Sequence, residues 1–303
     1  MISVAVVEAL QRFVPRENIL LEEQMAGHTT FRIGGPADCF VLLEDEIQLK
    51  GIQRYLGMAE IPYFVLGNGS NLLVSDKGYK GVILQIGKKM SGISVEGCRI
   101  AAKAGATMAQ VAHAALEHGL TGLEFAAGIP GTVGGGVVMN AGAYGGEMAQ
   151  VAVQVNVVSK EGEILELDNE TMEFGYRTSS IKNHSFTVTE VIFGLERGDK
   201  DTIRAKMEEL AARRREKQPL EYPSAGSTFK RPEGYYAGKL IMDAGLGGFQ
   251  IGGARVSEKH CGFIVNTGNA TAQDVRAVIS RVQEQVKDRF RVELEPEVIF
   301  LGW

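Results

Sequence analysis

The stretch Gly128–Gly146 reads GIPGTVGGGVVMNAGAYGG. Nearly half of it is glycine and none of it is charged. A flexible linker of this glycine content carries Ser, Lys or Glu. Here the glycines are mixed with Ile129, Val133, Val137, Val138 and Met139. That mixture describes backbone packed closely against something, at φ values other residues adopt only at a cost. Successive N–H groups left bare by missing Cβ atoms form a concavity suited to phosphate. Thr132 is placed to cap a short helix whose N-terminus faces the same anion. The contact candidates are Gly128, Ile129, Gly131, Thr132, Gly135 and Gly142. A tight turn between packed elements accounts for the same residues, so this stretch alone does not decide.

A second stretch, FVLGNGSNLLV from Phe64 to Val74, places a glycine-polar turn between two apolar runs. Gly67, Asn68, Gly69, Ser70 and Asn71 offer backbone donors, two amides and a hydroxyl at the end of an expected strand. The turn is not a Rossmann fingerprint, because the third glycine is missing and no helix is expected after it. No Gly-Lys-Ser/Thr occurs anywhere in the chain, which excludes a Walker loop. Two separate anion cradles of this kind point to a dinucleotide held across its pyrophosphate.

Composition excludes several classes. The 303 residues allow two or three domains. A net charge of −5 argues against general attraction to nucleic acid or acidic membranes. Cys39, Cys98 and Cys261 are scattered without metal spacing, which suits a reducing cytoplasm. The N-terminal MISVAVVEALQRF reads as a short amphipathic helix rather than a signal peptide. No apolar run reaches the length of a membrane span.

Along the chain, strands are expected at 38–43, 63–66 and 82–86, with a helix over 45–56. This alternation gives the first third an α/β character. From Lys88 the pattern changes to a hairpin at 93–103, a helix capped by Thr107, and strands at 151–158, 163–167 and 186–195. A helix over 201–217 carries Ile203, Met207, Leu210 and Ala211 on one face. Its end, Arg213-Arg214-Arg215-Glu216-Lys217, reads as a solvated cationic terminus favoured by the macrodipole. Lys217 is set apart because it abuts the next motif. Strands at 262–266 and 292–294 then flank a helix that opens in a capping box, Thr271 with Asp274.

Three stretches carry groups able to do chemistry. YPSAGSTFKRP, from Tyr222 to Pro232, is a polar loop holding Ser224, Ser227, Thr228, Lys230 and Arg231. No Gly-x-Ser-x-Gly elbow surrounds its serines, which argues against a hydrolase. Phe174-Gly175-Tyr176-Arg177 sets an arginine beside a turn. Glu295-Pro296-Glu297-Val298 puts a carboxylate, Glu297, inside an expected apolar strand, where it needs a partner or a task. The five histidines show neither metal nor triad spacing, and no metal is expected.

In order, the chain presents GNGSN, GIPGTVGG with NAGAYG, GYR, KQP, AGSTFKRP, AGKLIMDAGLGGFQIGGA and LEPEV. Together these resemble the UDP-N-acetylenolpyruvoylglucosamine reductases, from His28 to Gly302. Each motif alone is weak, and the combination is highly specific. The resemblance implies an α+β chain: a two-domain FAD-binding module of vanillyl-alcohol-oxidase type, over 1–87 and 88–200, followed by a third α+β domain binding substrate, over 201–303. It implies noncovalent FAD, with NADPH as co-substrate, in a cytoplasmic enzyme of peptidoglycan precursor synthesis with no obligate protein partner. NADPH reduces the flavin and leaves, and the enolpyruvyl ether of UDP-N-acetylglucosamine enolpyruvate enters and is reduced to UDP-N-acetylmuramate. Hydride adds to the carbon remote from the carboxylate. Arg177 and Glu297 match the family residues that stabilise the enolate, and Ser227 the serine that protonates it. Lys217 matches a substrate lysine, while Lys230 and Arg231 fall where phosphate or carboxylate contacts are expected.

One departure is visible. Longer members carry extra segments, one supplying a tyrosine over the bound nucleotide. Here the connections after Phe186 and from Glu233 to Tyr236 are short, so the chain resembles the family's short form. Two other readings use the same residues: a flavin oxidase acting on an alcohol or sugar, and a nucleotide-binding regulator without catalysis. The first often tethers flavin through His or Cys, which neither cradle contains.

Overall fold

The computed structural model describes residues 2–303. Two apolar cores divide the chain into two units. The first takes residues up to Leu21, Cys39–Asn68 and Gly81–Arg214; the second takes Glu22–Asp38, Gly69–Lys80 and Arg215–Trp303.

A four-stranded sheet has the order Ile19–Gln24, Pro36–Leu43, Tyr79–Ile86, Tyr63–Leu66. Its last two members run parallel. The helix Glu46–Met58 starts where Asp45 accepts the Gln48 N–H at 2.8 Å, and it buries Leu49, Ile52, Gln53 and Leu56. The fully buried Gln53 donates to Thr187 Oγ1 at 2.7 Å, which links this helix to the next sheet.

That second sheet is antiparallel throughout, in the order Ile164–Asp168, Ala152–Val158, Thr187–Gly194, Arg99–Lys103, Ile93–Glu96. The helix Met108–Glu117 begins in a capping box, Thr107 with Gln110. The glycine-rich stretch forms the helix Val133–Val138, capped by Thr132. Backbone hydrogen bonds from Val133 to Ala106 at 2.8 Å and from Gly134 to Ala104 at 2.9 Å lay this helix on the segment leaving the sheet. The glycines mixed with valines are thus a packed helix and not a linker.

The second unit holds a small sheet, Gln250–Ile251, Ala254–Val256, Ile264–Asn266, and the helix Ala272–Phe290. Val275, Val278, Ile279, Val282 and Val286 are buried along one face of that helix. Four of these five are valines, poor helix formers, so packing rather than propensity holds the helix. The strand expected at 292–294 does not form. Arg291 ends the helix at φ 60°, and the Leu294 carbonyl accepts Gln283 Nε2 at 2.8 Å instead of a ladder partner. The last strand is Ile299–Leu301, paired parallel with Leu72–Val74.

Asp76, just beyond Leu72–Val74, closes the helix start. Its two carboxylate oxygens accept the Ala272 and Gln273 N–H groups at 2.7 and 3.0 Å. These are donors that the helix itself leaves unsatisfied, and the anion also meets the positive end of the macrodipole. Asp76→Ala should therefore destabilise the second unit by about 1–2 kcal/mol. The denaturant midpoint reads this, and an unchanged midpoint would show that water replaces the carboxylate without loss.

Candidate active site

The two glycine loops meet at one point. A Cβ at Gly67 would lie 2.4 Å from Thr132 Oγ1, so the first loop passes the second at a distance only glycine permits. Thr132 is buried, and its hydroxyl accepts the Gly135 N–H at 3.4 Å. Gly128 and Gly135 remain exposed, while Ile129, Gly131 and Gly142 are half-buried. Gly142 pairs with Glu147 in a two-stranded hairpin. In the first loop, Asn68 is exposed and Ser70 half-buried. Gly69 adopts φ +58°, and a Cβ there would lie 2.1 Å from the His28 carbonyl oxygen. Both loops therefore present backbone close to whatever they face.

Arg177 occupies a strained turn. Gly175 and Thr178 exchange backbone hydrogen bonds at 3.1 and 3.3 Å, leaving Tyr176 and Arg177 as the two central residues. Arg177 has φ 56°, a conformation that ordinarily selects glycine or asparagine. Its guanidinium lies 5.5 Å from the centre of the Tyr176 ring, and its carbonyl accepts Lys182 Nζ at 3.0 Å. Asn140, from the NAGAYG part of the glycine-rich stretch, donates to the Gly175 carbonyl at 3.1 Å. Ser179 Oγ donates to the Val138 carbonyl at 3.0 Å.

In the second unit, Ser227 and Glu297 are brought together by backbone. Thr228, fully buried, donates to the Gly262 carbonyl at 2.8 Å and accepts the Glu297 N–H at 2.8 Å, while its hydroxyl accepts the Ile264 N–H at 3.1 Å. That locks the loop and leaves the neighbouring Ser227 half-buried. Phe229 bridges Pro296, and Lys230 donates to the Glu295 carbonyl at 2.8 Å. Asn71 Nδ2 donates to the Glu297 carbonyl at 3.1 Å.

Glu297 differs from its expected setting. It is half-buried in an extended segment preceding the strand Ile299–Leu301, not inside a strand. Pro296 has no N–H for a ladder, so regular pairing starts only beyond it. The Lys230 ammonium pairs with Glu295. Arg231 lies 4.1 Å from the centre of the Tyr236 ring and donates to the Tyr235 carbonyl at 3.3 Å. Lys217 is exposed at the last position of its helix.

Arg214 corrects the reading of the cationic helix end. Arg213 and Arg215 are solvated, but Arg214 is half-buried. A Cβ at Gly128 would sit 3.2 Å from its Cδ and 3.3 Å from Nη1, so the guanidinium lies on bare cradle backbone. Burial lowers its affinity for its proton, and among the described residues only the Tyr144 phenol opposes that effect, not a carboxylate. The signal was periodic: Ile203, Met207, Leu210 and Arg214 continue one helix face. A half-buried cation without an anion, beside close-approach glycines, fits the diphosphate of FAD. Among the described residues no three His, Cys, Asp or Glu side chains group to hold a metal ion.

A model described as UDP-N-acetylenolpyruvoylglucosamine reductase, C-terminal domain, matches residues 218–301, and an FAD binding domain model matches residues 37–168. The chain is 52% identical to the UDP-N-acetylenolpyruvoylglucosamine reductase of Caldanaerobacter subterraneus subsp. tengcongensis, over 98% of each chain. It is 50% identical to that of Clostridium perfringens strain SM101, over 97% of this chain and 96% of that one. The crystal structure of the UDP-N-acetylenolpyruvylglucosamine reductase from Thermus caldophilus superposes with a TM-score of 0.80 at 36% identity, covering 94% of this chain and 98% of that one. An alkyldihydroxyacetonephosphate synthase superposes at 0.51 with 13% identity over 65% of this chain and 41% of its own, which shows the fold alone. The fold class is α+β, an FAD-binding module of vanillyl-alcohol-oxidase type with a C-terminal α+β domain.

Arg214→Met removes a desolvated charge that no carboxylate offsets. The flavin-free chain should be as stable as the parent or more so, while FAD retention should fall by about 10- to 100-fold. Thermal melts of the flavin-free chain and fluorescence of released flavin measure the two effects separately. Lower stability with full retention would show that the guanidinium serves packing alone.

Proposed function

The chain belongs to the UDP-N-acetylenolpyruvoylglucosamine reductases, and from that membership we propose that it reduces UDP-N-acetylglucosamine enolpyruvate to UDP-N-acetylmuramate with NADPH, as a cytoplasmic step of peptidoglycan precursor synthesis. Residues 1–87 and 88–200, together with Arg214, hold the cofactor, and the rest of 201–303 holds the substrate. FAD held there would supply two-electron hydride chemistry between NADPH and the enol ether.

The observation that carries this reading is the backbone pairing of Thr228 with Glu297, which sets a serine hydroxyl and a carboxylate on adjacent strands of chain. Ser227 gives its proton to the carbon next to the carboxylate. An alcohol is a weak acid toward water but adequate toward a carbanion-like centre. Arg177 neutralises the charge that grows on the enolate, and Glu297 shares in holding the enol form. Charge-directed groups set before the reaction contribute most when the charge appears only in the transition state. Lys217, Lys230 and Arg231 face the phosphates or carboxylate of the substrate. Gly67, Asn68, Gly69, Ser70 and Asn71, with Gly128, Ile129, Gly131, Thr132, Gly135 and Gly142, line the FAD diphosphate.

Because neither loop contains His or Cys, acid precipitation should release all yellow colour into the supernatant. Colour left in the pellet would establish a covalent link.

The two half-reactions separate the roles. Bleaching by NADPH under exclusion of oxygen needs no proton on the sugar nucleotide, whereas reoxidation by the enolpyruvyl substrate does. Ser227→Ala should leave bleaching near normal and slow reoxidation by at least ~10². Ser227→Cys keeps a transferable proton and should recover part of the rate. Stopped-flow absorbance at the flavin band measures both steps. Equal slowing of the two would make Ser227 a residue that shapes the site and not the proton donor.

A further inference from the structure

An asparagine of each glycine loop bonds backbone at or near one of the two charged residues assigned to enolate stabilisation. Asn140 Nδ2 donates to the Gly175 carbonyl at 3.1 Å, at the base of the turn that carries Arg177. Asn71 Nδ2 donates to the Glu297 carbonyl at 3.1 Å. We infer that Asn140 and Asn71 are positioning residues, holding Arg177 and Glu297 in place through the peptide next to, or of, each charged residue. The inference rests on the roles assigned above to Arg177 and Glu297.

Asn140 has the marks of a positioning device. It is 3% exposed, and both ends of its amide are used: Oδ1 accepts the Ala149 N–H at 2.9 Å while Nδ2 reaches Gly175. This fixes the amide's orientation by its partners, an N–H on one side and a carbonyl on the other. It also sits at φ 42°, and the Arg177 it supports sits at φ 56°. Asparagine tolerates such a φ, but an arginine keeps it only where the surroundings over-determine it. The Gly175 carbonyl accepts from both Thr178 and Asn140, so the amide braces the turn from outside. Asn71 works alike. Its carbonyl accepts the Ile299 N–H at 3.0 Å, and the Glu297 N–H on the other side goes to Thr228 at 2.8 Å. Both backbone groups of Glu297 are thereby committed, one to the Ser227 loop and one to the first glycine loop.

The test uses the flavin-loaded full chain and a double-mutant cycle. Asn140→Gly removes the amide without straining the positive φ. Reoxidation by substrate should slow by about 10- to 100-fold, as expected for a small misplacement of a catalytic group. Flavin retention and bleaching should change by less than about twofold, and in an Arg177→Gln background the same substitution should add less than about twofold. Asn140→Asp retains the acceptor for Ala149 but can donate to Gly175 only when protonated. Its reoxidation should therefore slow as pH rises through the carboxyl's pKa, relative to the parent. Asn71→Ala with Glu297→Gln gives the second cycle, read only as the lack of additivity in reoxidation of the flavin-loaded chain, because Asn71 also stands among the diphosphate residues. If Asn140→Gly does not fold, the pH profile of Asn140→Asp and the Asn71 cycle decide. Additive losses, or equal slowing of bleaching and reoxidation, overturn the inference while leaving the roles of Arg177 and Glu297 intact. Unchanged reoxidation in Arg177→Gln itself overturns that residue's role and the inference with it.

Discussion

A side chain at position 67 has nowhere to go, because Thr132 Oγ1 lies 2.4 Å from where its Cβ would be. Much of the first unit follows from that approach. Thr132 stands where it does because it caps the helix Val133–Val138, and the helix is fixed by backbone bonds to Ala104 and Ala106. At the helix end Asn140 turns the chain at positive φ and reaches the Gly175 carbonyl. A steric limit at one glycine is thus connected, through a cap, a packed helix and one amide, to the backbone that presents Arg177. None of these links is long, and each is a neutral hydrogen bond or a van der Waals contact. Precision comes from their number: a net hydrogen bond contributes only ~1 kcal/mol by itself.

The second unit solves a similar problem with sheet-like pairing. Thr228 commits its N–H and hydroxyl to the 262–264 segment and its carbonyl to Glu297, so the loop carrying Ser227 has little freedom left. Glu297 is fixed by the same pairing from one side and by Asn71 from the other. The parallel pair Leu72–Val74 with Ile299–Leu301 continues this arrangement, and Asp76 extends it to the start of the last helix. Charged groups that act on substrate need such support, since a flexible guanidinium or carboxylate must be ordered during the reaction at a cost in rate.

Much of this was legible in the residues. Capping boxes at Thr107 and Thr271, and the cap at Thr132, marked helix starts because a side-chain oxygen three residues ahead of an N–H is a local event. Motif order marked the family because several weak patterns in sequence are jointly rare. What escaped was non-local. Asp76 caps a helix 196 residues away, and nothing near it announces the partner. The 292–294 segment had strand-like residues, but a helix end at Arg291 and Pro296 left no ladder for it. Arg214 sat in a run of cations whose bland reading holds for both neighbours, and only continuation of the Ile203, Met207, Leu210 stripe set it apart.

The choice of asparagine at both supporting positions follows from electrostatics. A carboxylate at position 140 or 71 would repel the carbonyl it must hold. A lysine or arginine could donate to the same carbonyls, but it would add a full charge beside Glu297. A hydroxyl is neutral yet too short to span two segments, with acceptor and donor at opposite ends. The amide alone carries a donor and an acceptor on a rigid plane with no net charge. Asn140 uses both ends, and it is also among the few residues that tolerate its positive φ without glycine's loss of a side chain. Orientation is thereby separated from charge: the amides bond the backbone at Gly175 and at Glu297 without adding a charge there.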